Sequence, residues 1–243
     1  MNKNEFSDEL RLAFTKNGVA EFATDEICDR LYELYRIFSD VSSYMNLTAI
    51  RDEKGVIYKH FTDCVMSARL FPQGASVLDV GSGGGMPALP LKIVRPDLTV
   101  TALDATAKKV DYITDTASKL GIEVRGMCGR AEELGTDKKL RESYDVVTAR
   151  AVAELRILSE WCIPFIKQGG KFIALKGKRG ADELSDAERA IKTLGCQVTA
   201  IDTTPLTLDD GTLNERTIIV CDKISHTAGT YPRSNAQIQK KPL

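Results

Sequence analysis

The sequence predicts an α/β fold: a doubly wound, Rossmann-like parallel sheet of five strands with an antiparallel edge hairpin, preceded by a helical extension. Three observations predict it. From Pro72 onward, apolar runs of four to six residues alternate with helical segments, the pattern of buried parallel strands joined by βαβ crossovers. Glycines stand just past the helical segments, at Gly121, Gly169-Gly170 and Gly195, where helix stop signals belong. A glycine-rich loop, Gly81 to Gly85, separates the first apolar run from the next helical segment.

From Asn4 to Leu70 the spacing is helical. Ile27, Leu31, Leu34, Tyr35, Phe38 and Val41 recur at three and four residues, as do Val56, Ile57, Phe61, Cys64 and Val65. Two or three amphipathic helices are expected, each with an apolar face to pack against the main body. The strands then read Ser76–Val80, Leu98–Leu103, Ile122–Met127, Tyr144–Thr148 and Lys171–Leu175, with helices at Met86–Val94, Thr106–Leu120, Glu154–Ile166 and Ala181–Leu194 between or after them. Two further strand-like runs, Gln197–Ile201 and Thr217–Cys221, are joined without a helix through a turn-rich stretch around Leu208-Asp209-Asp210-Gly211, which suits an antiparallel hairpin at the sheet edge. Five parallel strands followed by such a hairpin resemble the class I S-adenosylmethionine-dependent methyltransferases. The expected divisions are a helical extension over 1–71, a sheet domain over 72–225 and a basic tail over 226–243. That tail carries Arg233, Lys240 and Lys241 with no acidic residue and reads as a mobile arm.

Composition narrows the function. At 243 residues the chain is about one and a half average domains, with 43% hydrophobic residues, 28% charged and a net charge of −1. Bulk charge therefore does not hold this protein on nucleic acid, although local patches remain open to it. The six cysteines lie 25 or more residues apart and there are two histidines, His60 and His226, so no zinc-site spacing exists and no metal is expected. The polar start, Met1-Asn2-Lys3-Asn4-Glu5, lacks the apolar core of a signal peptide, and the scattered cysteines suit reduced thiols; a cytoplasmic monomer that does not enter membranes is expected.

The strongest local signal is Asp79-Val80-Gly81-Ser82-Gly83-Gly84-Gly85-Met86-Pro87. Glycines after a strand let backbone approach a ligand. A dinucleotide fingerprint requires glycine three positions after Gly83, where Met86 stands, whereas G-x-G-x-G fits Gly81, Gly83 and Gly85; the pattern favours S-adenosylmethionine over a nicotinamide dinucleotide. Asp104, 23 residues after Gly81, closes the second strand, where a carboxylate accepts ribose hydroxyls; capping of the helix near Thr106 is the alternative. In Gly129-Arg130-Ala131-Glu132-Glu133, backbone groups at Ala131 and Glu132 could read an adenine edge, or the two glutamates could be solvated first-turn carboxylates. Arg150 follows the buried run Val146-Val147, at the sheet edge where such folds do their chemistry. Lys176, with Gly177-Lys178-Arg179 behind it, forms a basic edge able to hold phosphate or a solvated loop. A lone histidine such as His60 is more often packing than chemistry.

Taken in order, Asn46-Leu47-Thr48-Ala49-Ile50-Arg51, His60 with Asp63, the Asp79–Pro87 loop, Gly129–Glu133, Ala149-Arg150-Ala151, Leu175-Lys176-Gly177, Tyr231-Pro232-Arg233 and Lys240-Lys241-Pro242-Leu243 resemble the RsmG family, also called glucose-inhibited division protein B. The resemblance implies a methyltransferase that modifies guanine N7 in 16S ribosomal RNA, or in the small ribosomal subunit. It implies cofactor contacts at Gly81, Met86, Ala131, Glu132 and Arg150, and RNA-facing cations at Arg130, Lys176 and Arg216. The sequence departs from the family in its run of three glycines, 83–85, and in Ala88, where glycine often follows the proline. No Asp-Pro-Pro-Tyr-like segment and no Pro-Cys pair occurs, so neither amino methylation nor cytosine-C5 chemistry is indicated, and no residue reads as a proton-transfer catalyst. Two rivals stand beside this reading: a methyltransferase acting on a small molecule or a protein, and a non-catalytic ribosome assembly or RNA-binding factor.

Overall fold

The computed structural model describes residues 1–50 and 52–243; Arg51, part of the quoted amino-terminal motif, lies outside them. Helix α1 (Lys3–Lys16) is closed by a capping box in which Asn2 and Glu5 bond each other's backbone N–H, satisfying two of the donors a helix start leaves open. It buries Phe6, Leu10, Ala13 and Phe14. Helix α2 (Asp25–Ser42), capped by Thr24, buries Cys28, Leu31, Leu34 and Phe38. A third helical stretch is irregular: α3 (Glu53–Val56), a π-helical turn over Ile57–Thr62, then α4 (Asp63–Val65). The Thr62 hydroxyl donates to the Ile57 carbonyl five residues back, in keeping with the wider turn. That turn carries His60, and Asp63 follows it.

The sheet begins with β1 (Ser76–Val80), followed by α5 (Ala88–Val94), β2 (Thr99–Asp104), α6 (Ala107–Lys119), β3 (Val124–Cys128), α7 (Ala131–Leu134), β4 (Tyr144–Arg150), α8 (Leu155–Cys162), β5 (Ile166–Lys176) and α9 (Gly180–Thr193). It closes with β6 (Cys196–Asp202) and β9 (Thr217–Lys223), between which β7 (Leu206–Thr207) and β8 (Leu213–Asn214) form a separate two-stranded ribbon. The order is β3-β2-β1-β4-β5-β9-β6, parallel through β5, with β9 antiparallel to both β5 and β6. Alternate residues of one strand serve opposite layers: Val77 packs with the amino-terminal helices, while Leu78 and Val80 pack with α8 and α9. Among the described residues no helix is long and apolar enough to cross a membrane.

Three local expectations change. The helix read as Glu154–Ile166 ends at Cys162 in a short 3-10 turn, because Pro164 lacks an N–H and disfavours helix before it; strand β5 then starts at Ile166. The stretch around Asp209 is not merely a turn but the tip of the β7–β8 ribbon, docked by Lys16 on the Asp209 carbonyl and by Asn17 on Thr207. The carboxyl-terminal arm is packed rather than mobile. Arg233 donates its backbone N–H, Nε and Nη2 to the fully buried Glu160 of α8, and α10 (Asn235–Lys240) buries Ile238.

Candidate functional site

Between β1 and β4 the sheet order reverses direction, and a crevice opens beyond the carboxyl ends of the strands at such a point. Here those ends carry the Gly81 loop and the Arg150-Ala151-Val152 turn. A Cβ on Gly81 would lie 2.7 Å from the Val152 side chain, and Gly81 itself sits at φ +74°, so the two loops approach as closely as only glycine permits. Ala151 adopts φ +56°, a left-handed conformation uncommon outside glycine, and this turn sends consecutive residues to opposite sides.

Two cavities flank these strand ends. The first is lined by Gly81, Asp104, Gly129, Arg130, Ala131, Glu132, Val152, Trp161 and Asn235. The second, of about 440 Å³, is lined by Asp63, Arg150, Ala151, Lys176, Lys178, Arg179, Glu183 and Arg216 among others. Gly81, Asp104, Ala131 and Glu132 are thus brought together, and Arg150, Lys176 and Arg216 are brought together beside them. Arg130 falls on the first cavity, apart from the other two cations, its side chain 4.0 Å from Glu132. Met86 lines neither cavity; its side chain is buried in the core shared with the amino-terminal helices.

Asp104 ties two backbone segments together. One oxygen accepts the Thr106 N–H two residues on (2.8 Å), while the other accepts the Gly83 N–H (3.0 Å) and so ties the glycine loop to the end of β2; Thr106, and not Asp104, is the N-cap of α6. Its carboxylate still has lone pairs toward the cavity it lines. Glu132 is buried and Glu133 exposed, so only Glu133 is a solvated carboxylate. Asp79, next to last in β1 before the loop, is buried; one oxygen accepts the Ala88 N–H (3.2 Å) and the other has no partner among the described residues. Burial pushes its carboxyl up to about 7 against the pull of that N–H and of Arg150.

Arg150 is held from three sides. Nη1 donates to Asp63 (2.8 Å) and to the Lys59 carbonyl (3.1 Å), and Nη2 lies 3.0 Å from His60 Nδ1. Since a guanidinium only donates, Nδ1 accepts, and the His60 proton sits on Nε2 facing Thr48 Oγ1 at 2.8 Å. Burial, with Arg150 beside it, lowers the imidazole to about 4; His60 is a neutral orienting group. Asp63 accepts Arg216 Nε (2.5 Å) on its other oxygen. Arg150 Nε remains without a partner.

Lys176 is buried rather than solvated, although it lines the second cavity. Its buried ammonium pairs with Glu183 (2.6 Å) and donates to the Ala153 carbonyl (2.7 Å). The exposed cations of that edge are Lys178 and Arg179. His226 is also exposed, beside Glu142 at 2.6 Å. Reading the sequence alone missed Val152, Trp161 and Asn235 as lining of the first cavity. Asn235 carried no signal, since nothing in the tail's composition marks a docked segment.

The fold and the glycine-loop crevice define a Rossmann-like methyltransferase. The solved structures it is similar to include M. jannaschii TYW2 in complex with AdoMet (TM-score 0.52, 14% identity, 68% of this chain and 76% of that one) and a ribosomal protein L11 methylase from Lactobacillus delbrueckii subsp. bulgaricus (TM-score 0.52, 16% identity, 69% and 79%). At that identity they share the fold. The family model for rRNA small subunit methyltransferase G, GidB, matches residues 27–207. A relative named ribosomal RNA small subunit methyltransferase G from L. delbrueckii subsp. bulgaricus is 46% identical over 208 residues, 84% of this chain and 86% of its own length. Another of that name from Brevibacillus brevis is 40% identical over 246 residues, covering all of both chains. The chain belongs to the GidB family of rRNA small subunit methyltransferase G proteins.

Proposed function

We propose that this protein transfers a methyl group from S-adenosylmethionine to N7 of a guanine in small-subunit ribosomal RNA, in the cytoplasm. The observation that carries the reading is the pair of cavities flanking one crevice, one built for an adenosine-like ligand and the other edged with cations. In the first, the glycines would admit the cofactor against backbone, Asp104 would offer acceptor lone pairs to its ribose hydroxyls, and Ala131 and Glu132 would hold its base. S-adenosylmethionine, when bound, supplies an electrophilic methyl on its sulfonium. In the second cavity five cations, Arg150, Lys176, Lys178, Arg179 and Arg216, stand against two carboxylates, Asp63 and Glu183, a balance that suits a polyanion.

The choice of N7 is supported by the engagement of the candidate bases around Arg150 and Lys176 among the described residues. His60 has both ring nitrogens engaged, each Asp63 oxygen accepts from an arginine, and Glu183 accepts from Lys176 and from the Leu155 N–H. Guanine N7 has an in-plane lone pair and no proton to lose, so its methylation requires orientation and electrostatics rather than a base. Arg150, held rigid by its three partners with Nε spare, positions whatever enters between the two cavities. The test is incubation of the protein with labelled S-adenosylmethionine and small subunits from cells lacking the enzyme. Label should map to a single guanine that is cleaved by the reduction and aniline treatment selective for 7-methylguanine. Label at a base resistant to that cleavage would overturn N7, and absence of label would overturn the substrate.

A further inference from the structure

The first cavity has a wall that comes from the carboxyl-terminal segment. Glu160 and Trp161 are neighbours in α8, and Arg233 and Asn235 are near neighbours at the start of α10. The Glu160 carboxylate takes three donors from Arg233, which fixes the register that puts Asn235 with Trp161 on the cavity lining. The segment before it is held by Arg141, whose guanidinium donates to the carbonyls of Thr227, Ala228 and Tyr231. A capping box between Ser234 and Gln237 and the buried Ile238 hold α10 itself.

On this wall two buried polar atoms bond to none of the described residues: the Trp161 indole N–H and the Asn235 carboxamide oxygen. Buried polar groups are nearly always satisfied, and those that are not call for a missing partner. A single ligand in this cavity that offers both an acceptor and a donor would satisfy the two. An adenine edge does: its exocyclic amino group donates beside ring nitrogens that accept, whereas a 6-oxo purine presents an acceptor where the amino group was.

Resting on the methyltransferase reading above, we propose that Asn235 and Trp161 read the adenine of the bound cofactor, making the docked carboxyl-terminal segment a specificity wall of the cofactor pocket. The Asn235 oxygen accepts from the exocyclic amino group and the Trp161 N–H donates to a ring nitrogen. Binding of the cofactor then tightens the docking of α10, since both events share Asn235.

Calorimetry with S-adenosylhomocysteine and with its 6-oxo analogue, S-inosylhomocysteine, tests this on the full chain. The unaltered protein should favour the adenosyl compound at least tenfold. Asn235→Ala should weaken the adenosyl compound about tenfold and leave the inosyl compound unchanged, collapsing the preference. Trp161→Phe, which keeps the ring and removes the N–H, should weaken both. Hydrogen exchange gives a second readout: S-adenosylhomocysteine should slow exchange of the Ile238 amide in the unaltered protein and not in Asn235→Ala. If Asn235→Ala keeps the full preference for the adenosyl compound, the inference is overturned while the cofactor reading stands. If the unaltered protein binds neither compound, the cofactor reading fails, and the inference with it.

Discussion

Two buried titrating groups beneath the crevice act on stability in opposite directions, and their near-cancellation is measurable. His60 is neutral in the fold down to about pH 4 but protonates near 6.5 when unfolded, so the unfolded chain binds more protons in that window and stability is lost as pH falls through it. Asp79 is protonated in the fold up to about 7 but ionises near 3.8 when unfolded, so its contribution is lost as pH rises through that window. Between pH 7 and pH 5, linkage gives a loss of about 2 kcal/mol from His60 and a gain of about 2 kcal/mol from Asp79. The carboxylates with strong native partners, such as Asp145, held down to about 2, titrate below this range. Urea unfolding at half-unit steps from pH 5 to pH 7, without added cofactor, should therefore show a nearly flat profile for the unaltered protein. Asp79→Asn should unmask the histidine and lose about 2 kcal/mol on acidification to pH 5, while His60→Asn should gain about as much. One common slope for all three proteins would refute the assignment of both groups.

Other perturbations follow from the same contacts. Asp104→Ala should weaken S-adenosylhomocysteine by about 1.5–3 kcal/mol, the worth of a hydrogen bond to a charged group, measured by calorimetry; unchanged affinity would leave Asp104 as a loop tie alone. Asp63→Ala removes the carboxylate shared by Arg150 and Arg216 and should cost about 3–5 kcal/mol in urea unfolding, as breaking a buried ion pair does; a loss under 1 kcal/mol would show that the two guanidinium groups find other partners. Lys176→Met should lower stability by stranding Glu183 yet leave the salt dependence of RNA binding unchanged. Lys178→Met should reduce that slope by about one unit if it meets a phosphate, and the reverse pattern would restore Lys176 as the phosphate contact.

Much of the frame was legible because burial on both faces leaves a strong mark. Val77-Leu78 and Val146-Val147 are apolar without alternation, as only a sheet covered by helices allows, and the glycine loop announces itself since positive φ and close approach exclude other residues at Gly81. What the sequence concealed was pairing between distant segments. Lys176 looks like a cation at a loop edge until Glu183, one helical turn into α9, is seen to reach it. The tail looks mobile because its composition is basic, but a buried acid of α8, Glu160, converts that basicity into an anchor. No local pattern carries this, because the partners lie 73 residues apart.

The π-helical turn shows the same limit at finer scale. Helical spacing around Val56–Val65 was visible, yet period 3.6 does not reveal a wider turn, and the wider turn decides which side chains share a face. It is this turn that presents the Lys59 carbonyl, His60 Nδ1 and Asp63 together to one guanidinium. The amino-terminal helices are thereby more than a cover for the sheet. They supply all three groups that orient Arg150, just as the carboxyl-terminal segment supplies Asn235 to the cavity on the other side. The parallel sheet sets where the crevice lies, and the segments before and after it furnish the groups that make its two halves chemically different.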